Sequence, residues 1–260
     1  MQLSVNGVET FVATGGRPFD KSLPAVVLLH GAGFDHSTWA LHSRWFAHHG
    51  HSVLAPDLPG HGRSSGRPLQ TIADMADWTS ALLDAAGATT ARLVGHSMGS
   101  LIAIETSARH PDKVSALSLI GTAATMTVGP DLLKAAEAND TAAIDMVSIW
   151  GLGFKAELGG SLAPGLWMHQ GAQRVLERTA PGVLYSDLNA CNAYQNALAA
   201  AAQVKVPTTV ILGERDMMTP AKAGKTLAAA IPNARIVVLP GAGHMMMVEQ
   251  PDELLAALRV

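Results

Sequence analysis

The sequence predicts an α/β fold: a mostly parallel central sheet with helices on both faces and one helical insertion. Short continuous apolar runs alternate with helical patterns along most of the chain, which is typical of parallel strands buried on both faces. The alternation breaks once, over residues 122–201, where helical patterns occur without strand-like runs. The 260 residues are 48% hydrophobic, which is enough for one large core. We therefore expect a core of residues 1–121 and 202–260, with residues 122–201 inserted.

The elements follow in order from the N-terminus. Leu3 to Val12 predict a hairpin, because alternating apolar residues flank Asn6-Gly7, a two-residue turn signal. Strands are predicted at 25–29, 52–55, 91–94, 116–120, 207–212 and 235–239, the first three of them buried. Helices are predicted at 39–49, 71–86, after Ser97, and at 131–138, 141–150, 171–179, 188–202, 220–231 and 251–258. Gly87 is expected to end the second of these helices.

Composition excludes several classes of protein. The net charge is −3 and no block of Lys or Arg occurs, so we expect no nucleic-acid partner. The longest apolar runs have the length of strands, so no membrane span is expected. A single cysteine, Cys191, leaves no intrachain disulfide and fits a reducing compartment. The first residues lack the features of a signal peptide, and a cytoplasmic location is expected. No oligomeric state is indicated.

The pentapeptide Gly95-His-Ser-Met-Gly99 matches the pattern G-x-S-x-G. An apolar run precedes it and a helical pattern follows it, which is the strand–turn–helix context of a nucleophilic serine. Such a turn is so tight that the residues flanking the serine must have almost no side chain, and glycine meets that requirement. The N–H groups at the start of a helix have no acceptor within the helix. The Met98 N–H is therefore available to donate to a negatively charged oxygen. Ser97 is therefore the candidate nucleophile.

A serine hydroxyl needs a base to accept its proton, and that base needs a carboxylate to orient it. Ligands gather at the carboxyl ends of parallel strands, so these partners are sought there. Asp216 follows the strand predicted at 207–212, and His244 follows the strand predicted at 235–239. Glu214 is the alternative to Asp216, although it lies closer to the end of its strand. The order along the chain is Ser, Asp, His.

Over nearly its whole length the chain resembles the α/β-hydrolase-fold serine hydrolases. The stretches that carry the resemblance are His30-Gly31, Asp57-x-x-Gly60-x-Gly62-x-Ser64, Gly95-His-Ser-Met-Gly99, Gly213-x-x-Asp216 and Gly243-His244. The resemblance implies a triad of Ser97, Asp216 and His244, and a cap formed by residues 122–201 over the site. It also implies that the Ala32 N–H joins that of Met98 in an oxyanion hole, with Gly33 as the rival to Ala32. Some relatives place the acid after an earlier strand, where the next carboxylate here is Asp131; Asp216 is favoured.

Large apolar residues in the insertion and methionines beside the acid and the base predict an apolar, adaptable pocket. The candidates for its wall are Gly33, Trp150, Trp167, Met217 and Met245. We therefore expect a serine hydrolase that cleaves a hydrophobic carboxylic ester through an acyl-enzyme, without cofactor or metal. The alternatives are a hydrolase of carbon–carbon bonds in vinylogous diketones, a lactonase, and a ligand receptor of the same fold with slow turnover.

Overall fold

The central sheet has the predicted mostly parallel form. The computed structural model describes residues 1–161 and 163–259, and within them one sheet holds eight strands in the order β1-β2-β4-β3-β5-β6-β7-β8. The strands are β1 (Gln2–Val5), β2 (Val8–Ala13), β3 (Ala25–Leu29), β4 (Ser52–Pro56), β5 (Ala91–His96), β6 (Val114–Ile120), β7 (Thr208–Gly213) and β8 (Arg235–Leu239). Leu162 of the predicted insertion and Val260 at the end of the predicted core lie outside the described residues.

The first two strands form the predicted hairpin. They pair antiparallel, and β2 pairs antiparallel with β4 at the edge of the parallel part of the sheet. Asn6 and Gly7 both have positive φ, at 51° and 80°, as the expected two-residue turn requires. Across the rest of the sheet, in the order β4-β3-β5-β6-β7-β8, every neighbouring pair of strands is parallel. The hydrogen-bonding edge of the parallel strands is therefore covered on one side by the hairpin.

Helices occupy both faces of the sheet and the insertion. They are α1 (Ala40–His48), α2 (Ile72–Ala86), α3 (Met98–Arg109), α4 (Pro130–Glu137), α5 (Thr141–Trp150), α6 (Phe154–Glu157), α7 (Met168–Arg178), α8 (Val183–Ala193), α9 (Ala197–Ala202), α10 (Ala221–Ala230), α11 (Met246–Glu249) and α12 (Pro251–Leu258). A 3-10 turn, His36–Trp39, precedes α1. Gly87 ends α2 with a left-handed conformation, as predicted.

Side chains of the strands alternate between two buried clusters, one on each face of the sheet. Val27 and Leu29 of β3 pack with α2, α3, α9 and α10. Val26 and Leu28 of the same strand pack with α1, α11 and α12, and the insertion helices α4 to α7 join this second cluster. Both faces of β3 are thus apolar, which explains why its sequence reads as a continuous hydrophobic run.

The insertion departs from prediction at its C-terminal end. One helix was expected over 188–202, whereas α8 starts earlier and ends at Ala193, and α9 follows after a break. Within the break, the Tyr194 hydroxyl and the Asn196 amide donate to the buried carboxylate of Glu105 on α3, at 2.6 and 3.0 Å. These two bonds draw the chain onto α3, and α9 packs against α3 and α10. A buried acceptor on a distant element therefore interrupts the helical pattern.

Two short helices, α6 and α11, were not predicted, because each is only four residues long. No helix among the described residues is both long and apolar enough to cross a membrane.

Candidate active site

Ser97 lies between β5 and α3, at the apex of the predicted strand–turn–helix. Its φ is 53°, a left-handed conformation that non-glycine residues rarely adopt. A side chain at Gly95 would overlap the carbonyl oxygen of Gly99, and one at Gly99 would overlap that of Leu29. Both glycines are thus required sterically. The Ser97 N–H donates to the Ile120 carbonyl at 2.9 Å, which ties the turn to the end of β6.

Asp216 and His244 are brought together at the carboxyl ends of β7 and β8. His244 Nδ1 lies 2.8 Å from Asp216 Oδ2, and both side chains are almost fully buried. A carboxylate only accepts, so Nδ1 carries a hydrogen, and Nε2 is the nitrogen that can accept the proton of a nucleophile. Burial raises the pKa of Asp216, but His244 and hydrogen bonds from Thr219 outweigh it and lower that pKa. The carboxylate is therefore held in its charged form.

Thr219 is a part of this arrangement that the sequence did not reveal. Its hydroxyl donates to Asp216 Oδ2 at 2.7 Å, and its N–H donates to Asp216 Oδ1, also at 2.7 Å. The Met218 N–H donates to the same Oδ1 at 2.9 Å. An aspartate that accepts from main-chain N–H groups two and three residues later forms a local turn, which was the available signal. The carboxylate is thereby fixed toward His244.

The alternative carboxylates lie elsewhere. Glu214 is exposed, and its Oε2 accepts the Gly241 N–H at 2.9 Å. Asp131 is exposed in the first turn of α4. Asp216 is the carboxylate that contacts His244.

His96, which precedes Ser97, supports the loop of His244. Its Nε2 donates to the His244 carbonyl at 3.0 Å, and the two rings are 4.6 Å apart between centroids. Burial, followed by the proximity of His244, lowers the pKa of His96 to about 3. The ring is therefore neutral near pH 7. This geometry agrees with a loop-shaping role.

The candidate oxyanion donors differ in their availability. In the part of the chain that the structure describes, neither the Ala32 N–H nor the Met98 N–H has a protein acceptor. The Gly33 N–H, by contrast, donates to Asp187 Oδ2 at 2.8 Å. Gly33 is thus engaged away from Ser97, while Ala32 borders the same cavity as Ser97. A pair of free N–H groups near a nucleophile is what stabilisation of an oxyanion requires.

Ser97 and His244 open into one cavity of about 240 Å³. Of the predicted wall residues, Trp150, Met217 and Met245 line it. Further apolar residues of the lining, missed from the sequence, are Phe34, Met126, Val128, Leu132, Val147, Leu188 and Cys191. The insertion supplies most of these residues. Its helical patterns predict helices but do not indicate which side of each helix faces the cavity.

Two predicted wall residues lie outside this lining. Trp167 is 61% exposed and borders a separate shallow depression with Leu158 and Leu166. Gly33 is covered by Leu176 and Leu184, whose side chains a Cβ at this position would meet at 2.9 and 2.8 Å. The structure therefore does not bring Trp167 or Gly33 to the Ser97 cavity.

The only titratable side chains among the described residues that line the cavity are the two imidazoles and the Cys191 thiol. None of the described residues that line it is Asp, Glu, Lys or Arg. Burial raises the pKa of the Cys191 thiol far above its usual range, so this second potential nucleophile stays protonated. Such a lining suits an uncharged, largely apolar ligand.

Asp35, His36 and Asp57 are close enough together to be considered for a metal ion. However, Asp57 Oδ1 already accepts from the His36 N–H and ring, each at 2.7 Å, and its Oδ2 accepts from the Arg63 N–H at 2.9 Å. The Asp35 carboxylate accepts from the Ser37 N–H at 2.8 Å. These groups close the loop after β4 onto the 3-10 turn, which explains the cluster as a structural one.

Comparison with known proteins identifies the relatives of the chain. Residues 26–258 match the family described as "Alpha/beta hydrolase family". The chain is 31% identical over 249 residues to a pimeloyl-[acyl-carrier protein] methyl ester esterase of Chromobacterium violaceum, covering 90% of this chain and 92% of that protein. It is also 31% identical over 261 residues to the protein of the same name from Neisseria meningitidis serogroup B, covering 92% and 94%.

Among solved structures, the enol-lactonase of Burkholderia xenovorans LB400 superposes with a TM-score of 0.87 at 25% identity, covering 100% of this chain and 98% of that one. A thermophilic esterase from Thermogutta terrifontis shares the fold, with a TM-score of 0.84 at 22% identity and coverage of 100% and 96%. The extent of the family match, together with the sheet order and the strand-end residues, shows that this chain belongs to the alpha/beta hydrolase family and is a hydrolase.

Proposed function

We propose that the protein hydrolyses a carboxylic ester with an uncharged, hydrophobic acyl or alcohol group, with Ser97 as nucleophile, His244 as base and Asp216 as the orienting acid. One observation carries the proposal: Ser97, held at a positive φ, opens into the same apolar cavity as His244, whose Nδ1 is bound by Asp216. The proposal extends to the cap, formed by residues 122–201 over a core of 1–121 and 202–260, since the insertion supplies most of the apolar lining.

In the first half of the reaction, His244 Nε2 accepts the Ser97 hydroxyl proton as Oγ bonds to the ester carbonyl carbon. The carbonyl oxygen becomes an oxyanion, which the N–H groups of Ala32 and Met98 stabilise. The tetrahedral intermediate collapses with cleavage of the bond to the alcohol oxygen, and His244 returns the proton to the leaving alcohol. Water then attacks the acyl-enzyme by the same proton transfers, releasing the acid and restoring Ser97.

The neutral cavity narrows the substrate class. Its lining has no charged side chain, among the residues described, that would pair with a carboxylate or an ammonium group on the substrate. Two relatives bear the name methyl ester esterase, and we extend that preference for a small alcohol to this chain. Methyl and other simple alkyl esters of uncharged, apolar acids are therefore the expected substrates.

Lactone hydrolysis is the second candidate, because the similar solved structure from Burkholderia xenovorans is an enol-lactonase. Opening a lactone follows the same steps, except that the leaving alcohol stays attached to the acyl group. A lactonase would cleave δ- and γ-lactones with a higher kcat/KM than open-chain esters of equal carbon number.

The test is a panel of p-nitrophenyl and methyl esters of increasing acyl length, beside lactones and one vinylogous diketone. We expect turnover of the esters, and loss of at least about a thousandfold in kcat/KM for Ser97→Ala. Cys191→Ala, which removes the other potential nucleophile of the cavity, is the control and should keep activity within about tenfold. Full activity in Ser97→Ala would overturn the proposal. So would submicromolar binding of a compound from the panel by a wild-type protein that turns over none of them.

A further inference from the structure

Gly33, the residue after Ala32, is held by the insertion at both of its main-chain polar groups. Its N–H donates to Asp187 Oδ2 on α8 at 2.8 Å, and its carbonyl accepts from the Thr179 hydroxyl after α7, also at 2.8 Å. Gly33 has a φ of 72°, which favours glycine, and Leu176 and Leu184 pack directly against its Cα. The insertion therefore fixes the conformation of this loop as well as covering it.

Asp187 is in turn held by His61, from the loop after β4. His61 Nε2 lies 2.8 Å from Asp187 Oδ2, and both side chains are fully buried. His61 Nδ1 lies 3.0 Å from the Pro59 carbonyl, so both ring nitrogens face acceptors and the ring is an imidazolium. Burial lowers the pKa of His61, but the charge of Asp187 and its hydrogen bond outweigh this and raise that pKa. A charged pair is thus built beneath the loop.

Ala32 lies between two anchored peptide groups. On one side, the Gly31 carbonyl accepts from the Phe34 N–H at 3.2 Å and from His30 Nδ1 at 2.9 Å. On the other side, the peptide N–H of Gly33 is fixed by Asp187. The Ala32 N–H belongs to the same peptide group as the Gly31 carbonyl, and the Asp187 bond fixes the next peptide across the Ala32 Cα, so the two sets of bonds together determine the direction of the Ala32 N–H. An oxyanion donor displaced by about 1 Å loses much of its effect, so such fixing has a catalytic consequence.

We propose that Asp187 is a positioning residue for the oxyanion hole: by holding the Gly33 N–H, with His61 as its counter-charge, it aims the Ala32 N–H at the substrate carbonyl. This inference rests on the proposed function. It gives the insertion a part in the chemical step, through a buried carboxylate that does not line the Ser97 cavity.

A structural bond and a positioning bond differ in what their loss changes. If Asp187 only fastened the insertion to the core, its removal would lower the melting temperature and leave the chemistry of folded enzyme intact. If it aims Ala32, its removal lowers kcat while KM stays nearly constant, because the oxyanion exists only near the transition state. Affinity for a trifluoromethyl ketone, which forms an oxyanion on Ser97, should fall with kcat.

The experiment compares Asp187→Ala, Asp187→Asn and a matched control, Glu105→Gln. Glu105 is also a buried carboxylate that joins the insertion to the core, through Tyr194 and Asn196, but it lies on α3 away from the loop of Ala32. Measured quantities are kcat and KM for a p-nitrophenyl ester, the inhibition constant of a trifluoromethyl ketone and of its methyl ketone analogue, and the melting temperature.

For Asp187→Ala we expect a loss of about ten- to a thousandfold in kcat, with KM within about threefold and trifluoromethyl ketone affinity reduced by a comparable factor. Asp187→Asn retains an oxygen that can accept the Gly33 N–H but loses the charge opposite His61, so its loss in kcat should be smaller than that of Asp187→Ala, at about threefold or more. Glu105→Gln should lose stability only. Unchanged kcat in folded Asp187→Ala, or a rise in KM alone, overturns the inference.

If Asp187→Ala does not fold, Asp187→Asn and Thr179→Val replace it, since each weakens one of the two bonds to Gly33. A fall of at least about threefold in kcat at constant KM is expected for both, and unchanged kcat in both overturns the inference. Wild-type labelling of Ser97 by a fluorophosphonate separates the two proposals. Labelling with no effect of Asp187 removes only this inference, whereas activity that does not depend on Ser97 removes both.

Discussion

Asp216 and Glu214 are two residues apart, yet their carboxylates face different partners. Asp216 receives main-chain and hydroxyl donors and binds His244, whereas Glu214 is exposed and caps the Gly241 N–H. The difference follows from the turn after β7, in which Asp216 closes onto Met218 and Thr219. The sequence favoured Asp216 because of its distance from the strand end. The geometry adds that Thr219 orients it.

Asp216→Asn should therefore lower kcat by about three to four orders of magnitude, because an amide beside Nδ1 stabilises the tautomer in which Nε2 cannot accept a proton. Glu214→Gln should keep activity within about threefold, as its amide oxygen can still accept the Gly241 N–H. The kcat of each variant, measured on one p-nitrophenyl ester, decides which of the two carboxylates orients His244. The reverse ranking of the two variants would transfer the acid's role to Glu214.

At the scale of elements, the insertion is where sequence and structure differ most. The inner strands, such as β3 and β4, were predictable because burial on both faces fixes their positions, and local composition records that burial. The break between α8 and α9 depends on Glu105, which lies far away in sequence, and no local pattern reports such a partner. The same holds for Asp187, whose bonds to Gly33 and His61 span the core and the insertion.

The two tryptophans of the insertion illustrate this limit and provide a matched pair of variants. Trp150 lines the Ser97 cavity, and Trp167 lies on a separate exposed depression. Trp150→Ala should enlarge the cavity and raise kcat/KM for long relative to short acyl esters by about tenfold, which is about 1.4 kcal/mol of differential binding. Trp167→Ala should leave that ratio within about twofold. Equal effects of the two substitutions would contradict this placement of the pocket.

At the scale of the whole molecule, stability depends on histidines that are buried in the neutral state. Burial lowers the pKa of His30 and of His42 to about 4 and that of His96 to about 3. Between these values and about 6.5, the unfolded chain binds protons that the folded chain does not. Stability from these groups is therefore present above pH 6.5 and is lost as the pH falls toward 4.

His61, whose pKa is raised, acts in the opposite direction. Its contribution to stability is present below pH 6.5 and is lost as the pH rises through its folded pKa.

His42 isolates this effect because it lies away from the cavity, where its Nε2 donates to the Pro251 carbonyl at 3.2 Å. His42→Gln keeps a donor for that carbonyl but cannot titrate. Between pH 6.5 and 4.5 the wild type should lose more unfolding free energy than the variant, by about 1.4 kcal/mol per pH unit at most. Urea denaturation at several pH values measures both slopes, and the other titrating groups cancel in the difference. If the unfolding free energies of the wild type and the variant fall with pH at the same rate, His42 is not buried in its neutral form.

Covalent catalysis by Ser97 is the central claim, and trapping the acyl-enzyme tests it most directly. Wild-type protein is mixed with a p-nitrophenyl ester, quenched in acid within the first turnover, digested and analysed by mass spectrometry. The account predicts a burst of p-nitrophenol and a peptide carrying the acyl group on Ser97, with neither in Ser97→Ala. Ester turnover without any covalent adduct, or an acyl group on another residue, would contradict it.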